Sequence, residues 1–217
     1  MVEMAGGLVA SIVASHSPRM GVEENAPEFI KGLIDGLREL GQTLRTLEPD
    51  AIVLHSAHWV STFWWYVPGH EIHEGICVAD EAPDLIPGSP YRWPGEPALA
   101  KAIADRLNAN GIDCRTFDTP HWNWEYGSYV PLHYLDPASS VPVVLLPTVL
   151  CSNLEENRKV GRLVHDVGKD TGKKTCSSPA AHFRMMSCGA PSVGRPRSAR
   201  ASIASSSTLR LRVASLS

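Results

Sequence analysis

Apolar and polar residues before position 171 alternate between strand-like and helix-like patterns. Three continuous apolar runs predict strands, at 7–14, 51–54 and 141–150. Between the first two runs, apolar residues recur at the i, i+3, i+4, i+7 spacing of an amphipathic helix: Phe29, Ile30, Leu33, Ile34, Leu37, Leu40 and Leu44. We therefore expect one βαβ unit over 7–54, with parallel strands.

Start and stop signals mark the helices. Asn25, Pro27 and Glu28 have the order of an N-cap, a first-turn proline and a capping-box carboxylate. A second helix is predicted over 97–110, and a third begins at Asn153 and ends near Gly168 or Gly172.

The intervening segments are less regular. A short strand is predicted over 112–117, and 118–137 has the composition of a polar and aromatic loop. The segment 59–96 is too long for a structureless loop, so we expect a hairpin or a lid there. Together the elements predict an α/β fold, with a mostly parallel or mixed sheet and flanking helices.

The overall composition is that of a globular protein, with 43% hydrophobic and 20% charged residues. A net charge of −3 gives no reason to expect a nucleic-acid partner. No apolar run approaches the length of a membrane span, so no membrane partner is expected. The first residues lack the basic segment and cleavage site of a signal peptide, which predicts a cytoplasmic location.

Charge divides the chain near Lys173. All 23 Asp and Glu residues lie at or before Asp170, so the part through Lys173 carries −10 and the remainder +7. No periodicity continues after Lys174, and the remainder is rich in Ser, Arg and Ala. We therefore divide the chain into a folded part, 1–173, and a basic tail, 174–217, that is disordered or serves as a basic arm.

Two histidines follow predicted strands. His16 comes just after the first apolar run and His58 shortly after the second. In open α/β sheets ligands bind outside the carboxyl ends of the strands, so the two imidazoles are predicted to share one site. Imidazole binds iron, copper, nickel or zinc, and two histidines with one carboxylate are typical of non-haem Fe(II) oxygenases. The alternative is that each histidine is an ordinary loop residue.

The candidate carboxylates are Asp118 and Glu125, but neither has a distinctive spacing, and each is more typical of a solvated loop residue. Glu125 belongs to the aromatic segment HWNWEYGSYVPLHY, residues 121–134. Such a segment lines a pocket for a flat aromatic substrate or simply covers the sheet, and both interpretations stay open.

Three motifs carry a family resemblance. ASHSP contains His16, a strand followed by HW contains His58, and EYGSYVPL contains Tyr126. In this order and at these separations, they resemble the class III extradiol ring-cleavage dioxygenases, the superfamily of the protocatechuate 4,5-dioxygenase beta subunit. The chain is most similar to the branch of homoprotocatechuate 2,3-dioxygenase and 2-aminophenol 1,6-dioxygenase. The resemblance covers about residues 7 to 172.

The resemblance implies a site and a reaction. His16 and His58 correspond to two Fe(II) ligands, and Tyr126 stands where several relatives have a histidine acid/base. Tyr126 is therefore the expected catalytic residue, and Tyr126, Pro131 and His121 are the expected substrate-binding residues. O2 is the implied co-substrate, and the aromatic substrate is of the catechol, 3,4-dihydroxyphenylacetate or 2-aminophenol type. A homo- or hetero-oligomer is also implied.

The resemblance further implies that part of the domain is missing. Family members continue with a strand that ends in a Leu-Ser-His element and with a later Glu ligand, and neither element is present here. In a shifted frame, however, Thr175 to Cys188 can encode Asp-Leu-Phe-Leu-Ala-Ser-Ser-Ala-Leu-Ser-His-Asp-Val-Val, of which only the Asp at Met186 is forced. We therefore expect a frameshift near Lys173, a truncated domain and impaired activity; a native basic tail is the alternative.

Two other functions remain open from the sequence. One is a binding or signalling protein of the same fold without catalysis. The other is a zinc hydrolase using the same two histidines, which the lack of an HExxH-type or nucleophile motif disfavours.

Overall fold

The computed structural model describes residues 6–179 and 211–213. Its nine strands in this part of the chain are β1 (Gly7–Ile12), β2 (Ala51–Ser61), β3 (Trp65–Pro68), β4 (Ile72–Cys77), β5 (Ser89–Pro94), β6 (Cys114–Phe117), β7 (Val143–Val149), β8 (Lys174–Pro179) and β9 (Leu211–Val213). The α-helices are α1 (Glu28–Leu47), α2 (Pro97–Ala109), α3 (Tyr126–Leu135) and α4 (Leu154–Asp170).

The main sheet has the strand order β7-β2-β8-β1-β9. Strand β8 is parallel to both β1 and β2, β7 is parallel to β2, and β9 is antiparallel to β1. The predicted α/β fold with a mostly parallel sheet is confirmed. The first two strands are parallel as expected, but they are not neighbours, because β8 lies between them.

Helices cover both faces of this sheet. Buried residues of α1 and α3 pack with alternate strand residues such as Ile52 and Leu54. Residues of α2 and α4 pack with the other set, which includes Val53 and Val144. This alternation follows from the period of two in a strand, which sends successive side chains to opposite faces. Among the helices of the described residues, none has the length and apolar character needed to cross a membrane.

The start of α1 differs from the sequence prediction. The N-cap position is Pro27, no side chain caps the helix, and Asn25 belongs to a preceding 3-10 turn. Phe29 is 79% exposed and lies off the buried face. The capping box was therefore wrong, although the helix itself and most of its buried stripe were predicted correctly.

Helix α3 replaces a predicted loop. Its residues are buried on nearly every side, so they show no amphipathic period, and Pro131 lies inside the helix. The sequence predicted a loop because this segment lacks an amphipathic period and contains a proline, and both features argue against a helix. In the irregular segment 59–96, the expected hairpin is present as β4 and β5, which pair antiparallel from Ile72/Pro94 to Cys77/Ser89.

Strand β8 begins the segment that the sequence predicted to lack regular structure, and for Lys174–Pro179 that prediction was wrong. Residues 180–210 and 214–217 of the tail lie outside the described residues. Unlike most central parallel strands, β8 carries small and polar residues: Thr175, Cys176, Ser177 and Ser178.

The surroundings of β8 include a cavity on one face and, on the other, a buried polar atom without a partner in the described part of the chain. On the α4 side, Thr175 and Ser177 border a cavity of about 290 Å³ whose wall also includes Val53, Leu146 and Val160. On the opposite side, Ser178 is fully buried, and its hydroxyl has no hydrogen-bond partner among the described residues. Larger apolar side chains are the usual occupants of such positions.

The unpaired hydroxyl of Ser178 should cost stability. Ser178→Ala removes the buried oxygen and keeps the β-carbon, so the free energy of unfolding should rise by about 1 kcal/mol. Denaturant titration measures the change. Ser152→Ala is the matched control, because the Ser152 hydroxyl donates to Val149 O at 2.7 Å and its loss should lower stability. Equal destabilisation by both variants would contradict the prediction.

A histidine of β4 is buried against the main sheet. His73 is 3% exposed, and its Nε2–H donates to the Val143 carbonyl at 3.2 Å. Burial, together with the nearby His70 and against the hydrogen bond to Val143, lowers the pKa of His73 to about 4. The side chain is therefore neutral at neutral pH, and its tautomer is set by the carbonyl.

Acid should destabilise the fold through His73. Between about pH 6.5 and 4, His73 binds a proton in the unfolded chain but not in the folded protein. The free energy of unfolding therefore falls as the pH falls through this window. At about pH 5 the loss from this residue should reach roughly 2 kcal/mol. His73→Gln keeps a donor for Val143 O but does not titrate. Its unfolding free energy should thus depend less on pH than that of the wild type, and an equal dependence would refute the assignment.

Candidate metal centre

His16 lies just beyond the end of β1. The strand ends at Ile12, and a 3-10 turn begins at Pro18, whose missing N–H prevents the strand ladder from continuing. His16 is only 5% exposed. Its predicted location after the first strand is confirmed.

His58 lies inside a strand and not after one. Strand β2 extends to Ser61, well past the predicted end at Leu54. Its register with β7 shifts between His55 and Val60, so the strand bulges around His58. Bulges re-aim side chains next to functional sites, and this bulge does so for His58.

Both histidines meet Tyr126 at the start of α3. The ring centroids of His16 and His58 are 4.9 Å apart, with the planes at 73°. The Tyr126 ring is 4.1 Å from that of His58 and 6.2 Å from that of His16. Three motifs that are far apart in the sequence thus converge on one point.

The electrostatics keep Tyr126 protonated. Burial and, to a smaller extent, the carboxylates of Glu81 and Glu125 raise the pKa of its phenol to about 12. At neutral pH this group is therefore a hydrogen-bond donor. The Glu81 carboxylate also lies 3.9 Å from His58 Nδ1, although its side chain is 67% exposed.

Glu125 is not the solvated loop residue that the sequence predicted. Its carboxylate accepts hydrogen bonds from Ser56 Oγ at 2.7 Å, from Ser128 Oγ, and from Ser128 N at 3.2 Å. Burial raises the pKa of Glu125, while these hydrogen bonds act in the opposite direction. Asp118, the other candidate carboxylate, is exposed as expected.

The donor set of this site suits a transition metal in part. His16 and His58 present two imidazoles close together, which fits iron or zinc chemistry. Within residues 6–179 and 211–213, no group of three or more His, Cys, Asp and Glu side chains is arranged to hold a metal ion. The described residues therefore bring two imidazoles side by side, with the carboxylates of Glu81 and Glu125 nearby.

The other two expected substrate residues lie further away. His121 is exposed and borders a separate cavity of about 340 Å³ with His70, His73 and Trp122. The two regions are connected by a ring contact between Trp59 and Trp122, with centroids 4.8 Å apart. Pro131 is buried within α3, more than one turn beyond Tyr126.

The sequence analysis missed Ser56, Glu81 and Gly127. Gly127 leaves room for the site, because a β-carbon there would lie 2.7 Å from Glu125 Oε2 and 3.1 Å from His58 Cδ2. The glycine of the EYG sequence indicates a close approach at this position, but only the fold shows that Glu125 and His58 are the neighbours.

Comparison with known proteins agrees with this geometry. The family model "Catalytic LigB subunit of aromatic ring-opening dioxygenase" matches residues 10–171. A 3,4-dihydroxyphenylacetate 2,3-dioxygenase of Escherichia coli is 26% identical over 164 residues, which cover 73% of this chain and 59% of that protein. The 2-aminophenol 1,6-dioxygenase beta subunit of a Pseudomonas species is 23% identical over 146 residues, covering 64% of this chain and 48% of that protein.

A solved structure supports the same fold. An uncharacterized protein of Escherichia coli K12 superimposes with a TM-score of 0.56 at 25% sequence identity, over 78% of this chain and 59% of that protein. The chain thus spans only about half to three fifths of the length of these relatives. Because the family model matches most of the chain and the convergent histidines lie within the match, the chain belongs to the family of catalytic LigB subunits of aromatic ring-opening dioxygenases.

Proposed function

We propose that this protein is an Fe(II)-dependent extradiol dioxygenase that opens a catechol-type or aminophenol ring with O2. The observation that carries the proposal is the convergence of His16, His58 and Tyr126. Relatives are named for 3,4-dihydroxyphenylacetate and 2-aminophenol, both aromatic rings with two adjacent polar substituents. The family and these names support the substrate class.

In this proposal His16 and His58 hold the metal through neutral imidazole nitrogens. Bound Fe(II) would supply a Lewis-acidic centre at which O2 and the two adjacent ring substituents come together. The partly buried Glu125 carboxylate lies near this centre, and its negative charge, when ionised, favours a bound cation.

Tyr126 is the proposed catalytic residue of the chain. Its phenol stays protonated, so it can donate a hydrogen bond to an oxygen of the substrate and orient the ring. Pro131 and His121 remain proposed substrate contacts with weaker support, since they lie away from the ring cluster. One relative is named as a beta subunit, which supports assembly of this protein into a homo- or hetero-oligomer.

The chain as printed should bind Fe(II) weakly and cleave little substrate, because only two imidazole ligands come together in its described part. Anaerobic Fe(II) titration followed by iron analysis should show binding that His16→Ala and His58→Ala each abolish. His121→Ala serves as the control and should retain the iron. Iron near one per subunit together with rapid turnover of a catechol would contradict the expected impairment.

We further propose that the residues after Lys173 result from a frameshift. The packing around β8 supports this proposal: the shifted frame allows Leu, Phe and Leu at Cys176, Ser177 and Ser178. The Phe at Ser177 would supply apolar bulk for the adjacent cavity, and the Leu at Ser178 would remove a buried hydroxyl that has no hydrogen-bond partner among the described residues.

Sequencing the coding DNA tests the frameshift, and the expected result is one inserted or deleted base near the Lys173 codon. Expression of the corrected gene should then give iron-dependent oxygen uptake with catechol, 3,4-dihydroxyphenylacetate or 2-aminophenol. In that protein His58→Ala should abolish uptake, and Tyr126→Phe should slow it while iron is retained. An intact frame would refute the frameshift alone, whereas a corrected protein without uptake would refute the dioxygenase proposal.

A further inference from the structure

The bulge in β2 leaves its backbone without the usual strand partners. The ladder with β7 is regular from Ile52 to His55 and resumes only at Val60, opposite Thr148. Residues 56–59 therefore lie opposite a single residue of β7, Pro147, which has no N–H to donate. The ladder with β8 also ends at His55. Other groups must satisfy this stretch of backbone, which carries His58.

The Ser56 side chain replaces those partners. Its hydroxyl oxygen accepts hydrogen bonds from the backbone N–H of His58 at 3.1 Å and of Trp59 at 3.2 Å. Its proton is donated to Glu125 Oε1 at 2.7 Å. One donor and two acceptor positions are all that a hydroxyl offers, and here all three are used. Ser56 is fully buried, so water does not compete.

Glu125 connects this bulge to the helix that carries Tyr126. It is the N-cap residue of α3, and its side chain accepts from the Ser128 backbone N–H. The same carboxylate thus fixes both the start of α3 and the orientation of the Ser56 hydroxyl. Gly127 permits the contact, because a β-carbon there would come within 3.0 Å of Ser56 Oγ.

We propose that Ser56 and Glu125 are positioning residues of the metal centre, which act by holding the His58 bulge against the first turn of α3. The inference rests on the proposed function, in which His58 is a metal ligand. Hydrogen-bonded groups behind metal ligands typically change metal affinity 10–100-fold when they are removed. Ser56 and Glu125 differ from usual groups of this kind because they hold the backbone of the ligand and not its ring.

Cobalt(II) titration of the full chain, followed by its visible absorption, tests the proposal. Ser56→Ala should weaken Co(II) binding about 10- to 100-fold. Ser56→Thr keeps the hydroxyl and should restore most of the affinity. Glu125→Gln keeps one acceptor for Ser56 but sets an amide N–H2 near the Ser128 N–H, so its affinity should be intermediate.

Ser61→Ala is the matched control. Ser61 lies on the same strand beyond the bulge, and its hydroxyl donates to Trp64 O at 2.6 Å. This variant should bind Co(II) as the wild type does. Thermal unfolding of every variant shows whether a lower affinity merely reflects loss of the fold.

Hydrogen exchange of the metal-free protein gives a second readout that does not depend on the metal. The His58 and Trp59 amides should exchange at least about tenfold faster in Ser56→Ala than in the wild type, with Ser56→Thr close to the wild type. Unchanged exchange at both amides, or wild-type Co(II) affinity in Ser56→Ala, would overturn the inference and leave the proposed function intact. Faster exchange in Ser56→Ala, with no Co(II) binding by the wild type, would support the positioning of His58 and overturn the metal function.

Discussion

A strand in the middle of a parallel sheet must pair on both edges, yet β2 also has to turn one side chain out of the sheet. The bulge opposite Pro147 lets β2 pair with β7 before and after His58, but four residues of β2 lose their pairing with β7. The buried Ser56 hydroxyl accepts from the freed N–H groups of His58 and Trp59 and in turn donates to the Glu125 carboxylate. These hydrogen bonds hold the bulge that places His58 beside His16 and Tyr126.

The same arrangement shapes the electrostatics. A carboxylate with several hydrogen bonds keeps its charge despite burial more readily than an isolated one. Glu125 also lies at the N-terminus of α3, where the helix dipole favours a negative charge. The Glu125 carboxylate is therefore held in place by hydrogen bonds from Ser56 Oγ, Ser128 Oγ and the Ser128 N–H.

Periodicity predicted the elements that obey simple rules. Helix α1 has a clear apolar stripe, and β7 is a nearly all-apolar run, so both were found close to their observed positions. Helix α3 and the far half of β2 were missed for opposite reasons. Helix α3 is buried all round and so lacks a polar face, whereas β2 beyond Leu54 carries His55, Ser56 and His58, which resemble a loop.

Only part of the site could be predicted from the sequence. His16, His58 and Tyr126 were identified through their motifs, and the fold brings them together. Ser56 and Glu125 could not be assigned, because a serine and a glutamate 69 positions apart show no pattern until the chain folds. The sequence analysis grouped His121 with Tyr126 because the two are close in the sequence. In the structure the chain turns before α3, and His121 borders a separate cavity.

The position of β8 also has a consequence for the order of folding. Gly7 pairs with Lys174, and Ala51 pairs with Thr175, so both neighbours of the central strand are synthesised long before it. Until β8 leaves the ribosome, β1 and β2 each expose an unpaired inner edge, a common starting point for aggregation. The nascent chain therefore has to protect two open edges during most of its synthesis, and the residues that close this gap are those least suited to a buried strand.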